Sequence, residues 1–203
     1  MNAPYTDRLA FVKYQSAGVC FEMVHDISSF FLATGLHRRE KIHDPLLVSL
    51  HVLYARPFKQ RRPLRLEDTI VPAEFQPIHE KLITLRSKMH AHTDLDGPEI
   101  TDGVLMNELT AFTKDGWTKF GITVFNPNPD MHRGILRLVE CLKKTTQEEA
   151  DKIWKRYMSK DKVPDGVTVV NLTPGDGPFL LAHPIDKHEK LKGFFVDVQE
   201  WQQ

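Results

Sequence analysis

The sequence predicts a mainly α fold: a helical bundle with an inserted β-hairpin and a partly irregular C-terminal tail. Three observations carry that expectation. Apolar residues recur at three-and-four spacing over residues 20–34, 45–56, 78–91 and 131–142, as in helices with one buried stripe. Asp115-Gly116 stands between two β-prone runs and marks a hairpin turn. The connections are short enough for helices to pack antiparallel. At 203 residues the chain suits one domain with a small appendage: a helical domain over 1–160, with the hairpin near 104–125, and an extension over 161–203 packed on it.

The elements follow in order. Leu9, Phe11 and Val12 come after Thr6 and Asp7, both good N-cap types. Cys20, Met23, Val24, Ile27, Phe30 and Phe31 form the next stripe, which Gly35 can close. Asp44-Pro45 opens a segment with Leu46, Leu50, Leu53 and Tyr54 on one face, ended by Pro57 and Pro63. Ile78, Leu82, Leu85 and Met89 form a further stripe, starting at Pro72 or Pro77. The stretch LDGPEITDG reads as turns, followed by strands near 104–112 and 117–125. Ile135, Leu136, Val139 and Leu142 begin the last helix, with Ile153, Trp154, Tyr157 and Met158 resuming it after a break at Thr145-Thr146. Short strands are expected over 167–171 and 179–181, around the turn-prone TPGDGP. Phe30, Phe31 and the Leu46/Leu50/Leu53 stripe read as core, Cys20 as buried and inert, and Trp117 and Phe120 as facing the helices.

Composition narrows the function. Lys+Arg and Asp+Glu stand at 27 each, so the chain lacks the basic excess of proteins that coat nucleic acid or anionic membranes. Two cysteines, Cys20 and Cys141, are too few for a disulfide framework or a cysteine zinc site. No apolar run reaches the ~20 residues that span a bilayer, and the N-terminus lacks a secretory pattern. A soluble, cytoplasmic protein without membrane or double-stranded DNA partners is the expectation.

No phosphate-binding loop, dinucleotide fingerprint, nucleophile elbow or zincin motif occurs. The concentrated polar cluster is LRSKMHAHTD, which holds Arg86, Lys88, His90, His92 and Asp94. Arg86 can grip a phosphate with two parallel hydrogen bonds and stays charged. A histidine near neutral pKa can take a proton from a ribose 2′-hydroxyl or return one to the leaving oxygen. Arg86 and His90, at i and i+4, share a helix face. His92 lies about 120° away and meets Arg86 only if the helix ends, bends or faces a dimer mate. Two other readings stand beside this one. The same cations suit a solvated helix C-terminus, leaving a catalytically silent interaction protein. His90-Ala-His92-Thr-Asp94 also resembles the HxHxDH element of metallo-β-lactamase-like hydrolases, with Leu95 in place of the last His and His132 or His183 as further ligands.

The run Arg86-Ser87-Lys88-Met89-His90-Ala91-His92 resembles the Arg-x(4–6)-His signature of HEPN proteins, a helical family rich in toxin, abortive-infection and CRISPR-associated ribonucleases. HEKLITLRSKMHAHTD is similar to the abortive-infection members, in which an Arg-x-Lys-x-x-Ala-His-Ser/Thr-Asp run ends the helix. Ser87 stands where active members usually carry Asn, Asp or His. The resemblance implies a metal-independent endoribonuclease or RNA-binding protein of a defence or toxin system, without cofactor. It makes Arg86 and His92 the signature pair, with His90 an additional histidine. It also implies a homodimer whose two motifs face each other.

RPFKQRRPLR supplies Arg56, Lys59, Arg61, Arg62 and Arg65 with no acid among them. With Lys88 these are the expected contacts to RNA phosphates. His25, His37, His43 and His51 are too dispersed to suggest a site.

Overall fold

The structure, a computed structural model, describes residues 2–35, 41–87, 99–101, 104–105, 109–122, 128–158 and 168–182. The fold is mainly helical, with a few short antiparallel strand pairs. Two long helices, α1 (Tyr5–Thr34) and α4 (Pro129–Tyr157), form its spine, and α2 (His43–Lys59) and α3 (Gln76–Leu85) pack beside them.

α1 is one uninterrupted helix. Its N-cap is Pro4 rather than Thr6 or Asp7, and Gly35 closes it in the left-handed conformation. It buries Ala17, Cys20, Phe21, Val24 and Phe31, whereas Phe30 is 42 % exposed and does not belong to the core. Adjacent residues on a helix point about 100° apart, so the Phe30-Phe31 pair cannot share one buried face.

α4 is equally continuous, and the expected break at Thr145-Thr146 is absent. The Thr145 hydroxyl donates to the Cys141 carbonyl at 3.0 Å, and the Thr146 hydroxyl to the Leu142 carbonyl at 2.8 Å. Each threonine thus satisfies its polar atom against the preceding turn instead of unwinding it. Asn128 caps the start, its side chain accepting from the Met131 amide at 2.8 Å.

α1 and α4 run antiparallel. Asp7 meets Arg156, Glu22 meets Lys143, His25 meets Glu140, and Phe31 stacks on His132, with ring centroids 4.9 Å apart. Between them lie Phe21, Val24, Ile135, Leu138, Val139 and Leu142, all fully buried. Buried side chains of this size each stabilise by about 1.5–3 kcal/mol, so this seam holds much of the fold together.

α2 begins at His43 and runs through Pro57 to Lys59, rather than ending at Pro57. The Pro57 carbonyl, one of those left open at the helix end, accepts from the Leu66 amide at 2.8 Å, which folds the following segment back onto the helix. Leu47 and Leu50 are buried, while Leu46 and Leu53 are only half-buried. Single 3-10 turns at Asp68–Ile70 and Ala73–Phe75 lead into α3, and Pro72 and Pro77 stand at the starts of the second turn and of α3. The α-helical ladder of α3 ends at Leu85, and Arg86 and Ser87 take a wider π turn. The rest of the helix expected over 78–91 lies outside the described residues.

β1 (Asn2–Ala3) is followed, after α3, by β2 (Glu99–Thr101), inside the stretch expected to be turns, and by β3 (Val104–Leu105), at the start of the strand expected near 104–112, and the two pair antiparallel. A second Asp-Gly step, Asp102-Gly103, separates them in the sequence. The expected hairpin forms as β4 (Leu109–Lys114) and β5 (Trp117–Ile122). Asp115 and Gly116 both have positive φ, 51° and 80°, as a type I′ turn requires. Trp117 is 82 % exposed and does not face the helices, because it lies beside the turn at the free end of the ribbon. The side chain of Phe120 and residues 123–125 lie outside the described set.

β6 (Thr168–Val170) and β8 (Leu180–Ala182) pair antiparallel, and β7 (Gly177–Pro178) pairs with β1, a contact the sequence did not suggest. This C-terminal ribbon packs on the outer ends of α1 and α4. Phe179 is buried there against Phe11, Trp154 and Tyr157. Beneath it lies Arg8, fully buried. Its guanidinium donates to the carbonyls of Asn171 at 2.5 Å, Thr173 at 3.1 Å and Gly175, tying the turn 171–175 to the first turn of α1.

Candidate functional site

Among the expected site residues, Arg86 is described; Lys88, His90, His92 and Asp94 lie outside the described residues, as does His183. Arg86 follows Leu82 and Leu85, whose full burial anchors the end of α3 against the bundle. Its side chain is half-buried, and no carboxylate among the described residues reaches it. The α-helical hydrogen-bond ladder ends at Leu85, and Arg86 keeps helical dihedrals as the C-cap, where the Arg-x(5)-His run begins.

Arg56 and Lys59 occupy the exposed last turn of α2, where cations are stabilised by the helix dipole. Arg61 and Arg62 are exposed on the following loop, and Arg65 is half-buried with its Nε shielded from solvent and unpartnered. None of these five has a carboxylate within ion-pair distance among the described residues. By contrast, Lys143, Lys152, Arg133 and Arg156 each meet one. The basic run borders the start of α3, where Lys59 lies close enough to His79 to lower its pKa. Arg86 lies seven residues further along, about 10 Å down the axis at 1.5 Å per residue.

Between these positions is a buried polar pair that the sequence reading missed. The Tyr54 hydroxyl lies 2.8 Å from His79 Nδ1, and His79 Nε2 faces the Asp68 carboxylate at 3.6 Å. Phe58 packs edge-on against the same imidazole, with centroids 4.7 Å apart. Burial lowers the His79 pKa and raises that of Tyr54 well above its ordinary value. The imidazole thus lies between the Tyr54 hydroxyl on its Nδ1 side and the Asp68 carboxylate on its Nε2 side.

Of the ligands of the metal reading, His90, His92, Asp94 and His183 lie outside the described residues. His132, on α4, is buried against Phe31, which His43 also touches edge-on at 5.3 Å. Burial, reinforced by the neighbouring His43, pushes its pKa down to about 4. His43 and His51, too dispersed in sequence to suggest a site, are both buried. The missed signal is spacing: His51, His79 and His132 each stand three residues before a fully buried side chain, Tyr54, Leu82 and Ile135. Cys20 is buried as expected, and burial raises its thiol pKa away from the reactive range.

A pH dependence follows. His132 is protonated below 6.5 in the unfolded chain but only near 4 in the folded one. Its contribution is complete above pH 6.5 and is lost as pH falls toward 4, about 3 kcal/mol in all. The lowered pKa of His79 acts in the same direction. Urea midpoints between pH 7 and 4 should fall, and His132→Phe should flatten the curve. Parallel curves for the two proteins would remove His132 as the cause.

Open grooves adjoin α1. One, of about 650 Å³, runs between α1 and α2 over Met23, Ile27, Val48 and Val52. Another, of about 630 Å³, runs between α1 and α4 over Gly18, Glu22, Glu140 and Lys143. No helix among the described residues is long and apolar enough to cross a membrane.

No protein-family model matches the chain, and neither a curated protein nor a solved structure matches it.

Proposed function

We propose that the chain is a HEPN-like, metal-independent endoribonuclease or RNA-binding protein of a defence or toxin system, working as a cytoplasmic homodimer. The observation that carries this reading is the set of cations without carboxylate partners among the described residues: Arg56, Lys59, Arg61, Arg62 and Arg65 at and after the end of α2 and Arg86 at the end of α3. Their charge is left available to an external polyanion although the chain as a whole is neutral. Two histidines follow Arg86 in the sequence at spacings that suit proton transfer to and from a phosphodiester. In the proposed reaction the ribose 2′-oxygen attacks the adjacent phosphorus as a histidine accepts its proton. Arg86 stabilises the extra negative charge, and the bond to the 5′-oxygen breaks as that oxygen takes up a proton. No metal enters these steps.

RNA affinity measured against salt tests the binding half. Each phosphate neutralised on a single strand contributes about −0.7 to the slope of log K against log salt. Changing Arg61 and Arg62 together to Ala should lower the steepness by up to about 1.4 and weaken binding without unfolding the chain. An unchanged slope would sink the assignment of this loop.

A second reading, a catalytically silent interaction protein, is favoured by the apolar side chains that α1 and α2 leave exposed, including Val19, Met23, Val48 and Val52. Light scattering separates the two. The first reading expects a dimer at micromolar concentration, and a monomer there would favour the second.

A further inference from the structure

We propose that the outer face of α1 and α2 seats the same face of a second copy, in an antiparallel two-fold dimer with Met23 and Val52 at its axis. The inference rests on the homodimer of the proposed function and says which surface makes it. Val19, Met23, Asp26 and Phe30 share one stripe of α1, at i, i+4, i+7 and i+11. Val48, Val52, Arg56 and Lys59 share one stripe of α2. Val19 is 60 % exposed, and Met23, Phe30, Val48 and Val52 are 39–47 % exposed. Single apolar side chains on a surface are ordinary, but two adjoining stripes of them mark an interaction face.

The register between the helices is fixed. Phe31 meets His43 and Phe21 meets Tyr54, so α1 and α2 run antiparallel. Met23 and Val52 line one groove, and Arg56 comes near enough to Cys20 of α1 for its charge to act on the thiol.

Area fits a second copy. The five apolar side chains leave roughly 400 Å² bare, the apolar share of an interface that buries about 600 Å² a side, the lower end for stable association.

Charge sets the direction. Asp26 follows Met23 by three residues and Arg56 follows Val52 by four on the antiparallel helix, so an acid and a base flank the centre of the face on opposite sides. Exposed Asp44 and Lys59 stand eight and seven residues either side of Val52. A two-fold axis across the helices at Val52 brings the partner subunit's Lys59 to Asp44, and the partner subunit's Arg56 level with Asp26. Parallel docking would set like charges level with each other. The face is thus self-complementary about one axis, as a closed dimer of identical chains requires and a different partner does not. Arg56 and Lys59 thereby enter the interface, while Arg61, Arg62, Arg65 and Arg86 stay available to RNA.

Sedimentation of the full chain across the micromolar range, without RNA, tests the assignment. The parent protein should be a dimer. Met23→Glu and Val52→Glu each place like charges at the axis and should weaken association about a hundredfold or more. Their helical circular dichroism should be unchanged, because both side chains are exposed. Asp26→Lys and Arg56→Glu should each weaken association, and the chain carrying both should dimerise like the parent. A parent that is monomeric at these concentrations would overturn the proposal and leave the face to a different partner. A dimer unmoved by Met23→Glu and Val52→Glu would overturn it as well, while the homodimer of the proposed function would stand on another surface. The readout is mass alone, so failure of the ribonuclease reading shows separately, as an intact dimer that does not cleave RNA.

Discussion

Replacing Arg8 by Ala is expected to destabilise the fold by about 3 kcal/mol or more, measured as a drop in the urea midpoint at unchanged m-value. Hydrogen bonds from a charged donor contribute about 1.5–3 kcal/mol each, and Arg8 makes three to the carbonyls of Asn171, Thr173 and Gly175. The substitution removes all three donors and leaves a cavity beneath the ribbon. Arg8→Lys should recover only part of the loss, since one ammonium cannot reach three carbonyls that a planar guanidinium spans. The buried cation has no carboxylate among the described residues, so its net value rests on those carbonyls. A loss below about 1 kcal/mol would show that desolvating the guanidinium cancels its hydrogen bonds.

Arg86→Ala is expected to lower RNA cleavage at least about a hundredfold, the scale of removing one group that stabilises transition-state charge. Cleavage by the parent protein should persist in EDTA, and DNA should remain intact because the attacking 2′-hydroxyl is missing. The far-ultraviolet helical signal should not change, because Arg86 is half-buried and makes no ion pair among the described residues. His92→Ala should act like Arg86→Ala, with His90→Ala as the informative control. Loss of activity in His90→Ala but not in His92→Ala would assign the proton transfer to the histidine four residues from the arginine. Cleavage that needs zinc or manganese would favour a metal-dependent hydrolase using His90, His92 and Asp94. A fully active Arg86→Ala protein would end the HEPN reading.

Helix positions were legible in the sequence wherever one face carried the burial. The spacing of Cys20, Val24, Ile27 and Phe31, and of Ile135, Val139 and Leu142, suffices to locate α1 and α4, and Asp115-Gly116 to locate the hairpin. Helix ends and interruptions were less legible, because side chains elsewhere or hydroxyls turned inward settle them. Thr145 and Thr146 look like breakers until their hydroxyls bond back, and Pro57 looks like a stop until Leu66 returns to its carbonyl. Polar residues in the interior were hardest to foresee. Nothing local marks Arg8 as buried, since its partners lie more than 160 residues away. The Arg86 segment was legible as a motif, and its chemistry depends on residues beyond the end of α3.

The pairing of β1 with β7 also constrains the order in which the molecule can form on the ribosome. Residues 2–8 are made long before their partners: the carbonyls that receive Arg8 and the strand that pairs with Asn2 and Ala3 emerge only after 171–178 have been made. Until then the guanidinium has only water to solvate it, and Phe11 and Trp154 lack Phe179. The start of α1 is therefore synthesised well before the ribbon and is among the last parts completed. Closing so long a loop comes late, because its entropy is lost before its contacts form. Chains ended just after Tyr157 and released from the ribosome should already protect the central α1–α4 seam from proteolysis while remaining sensitive near Tyr5. Equal protection at both places before residue 171 is available would show that the N-terminal turn is held by something other than the ribbon.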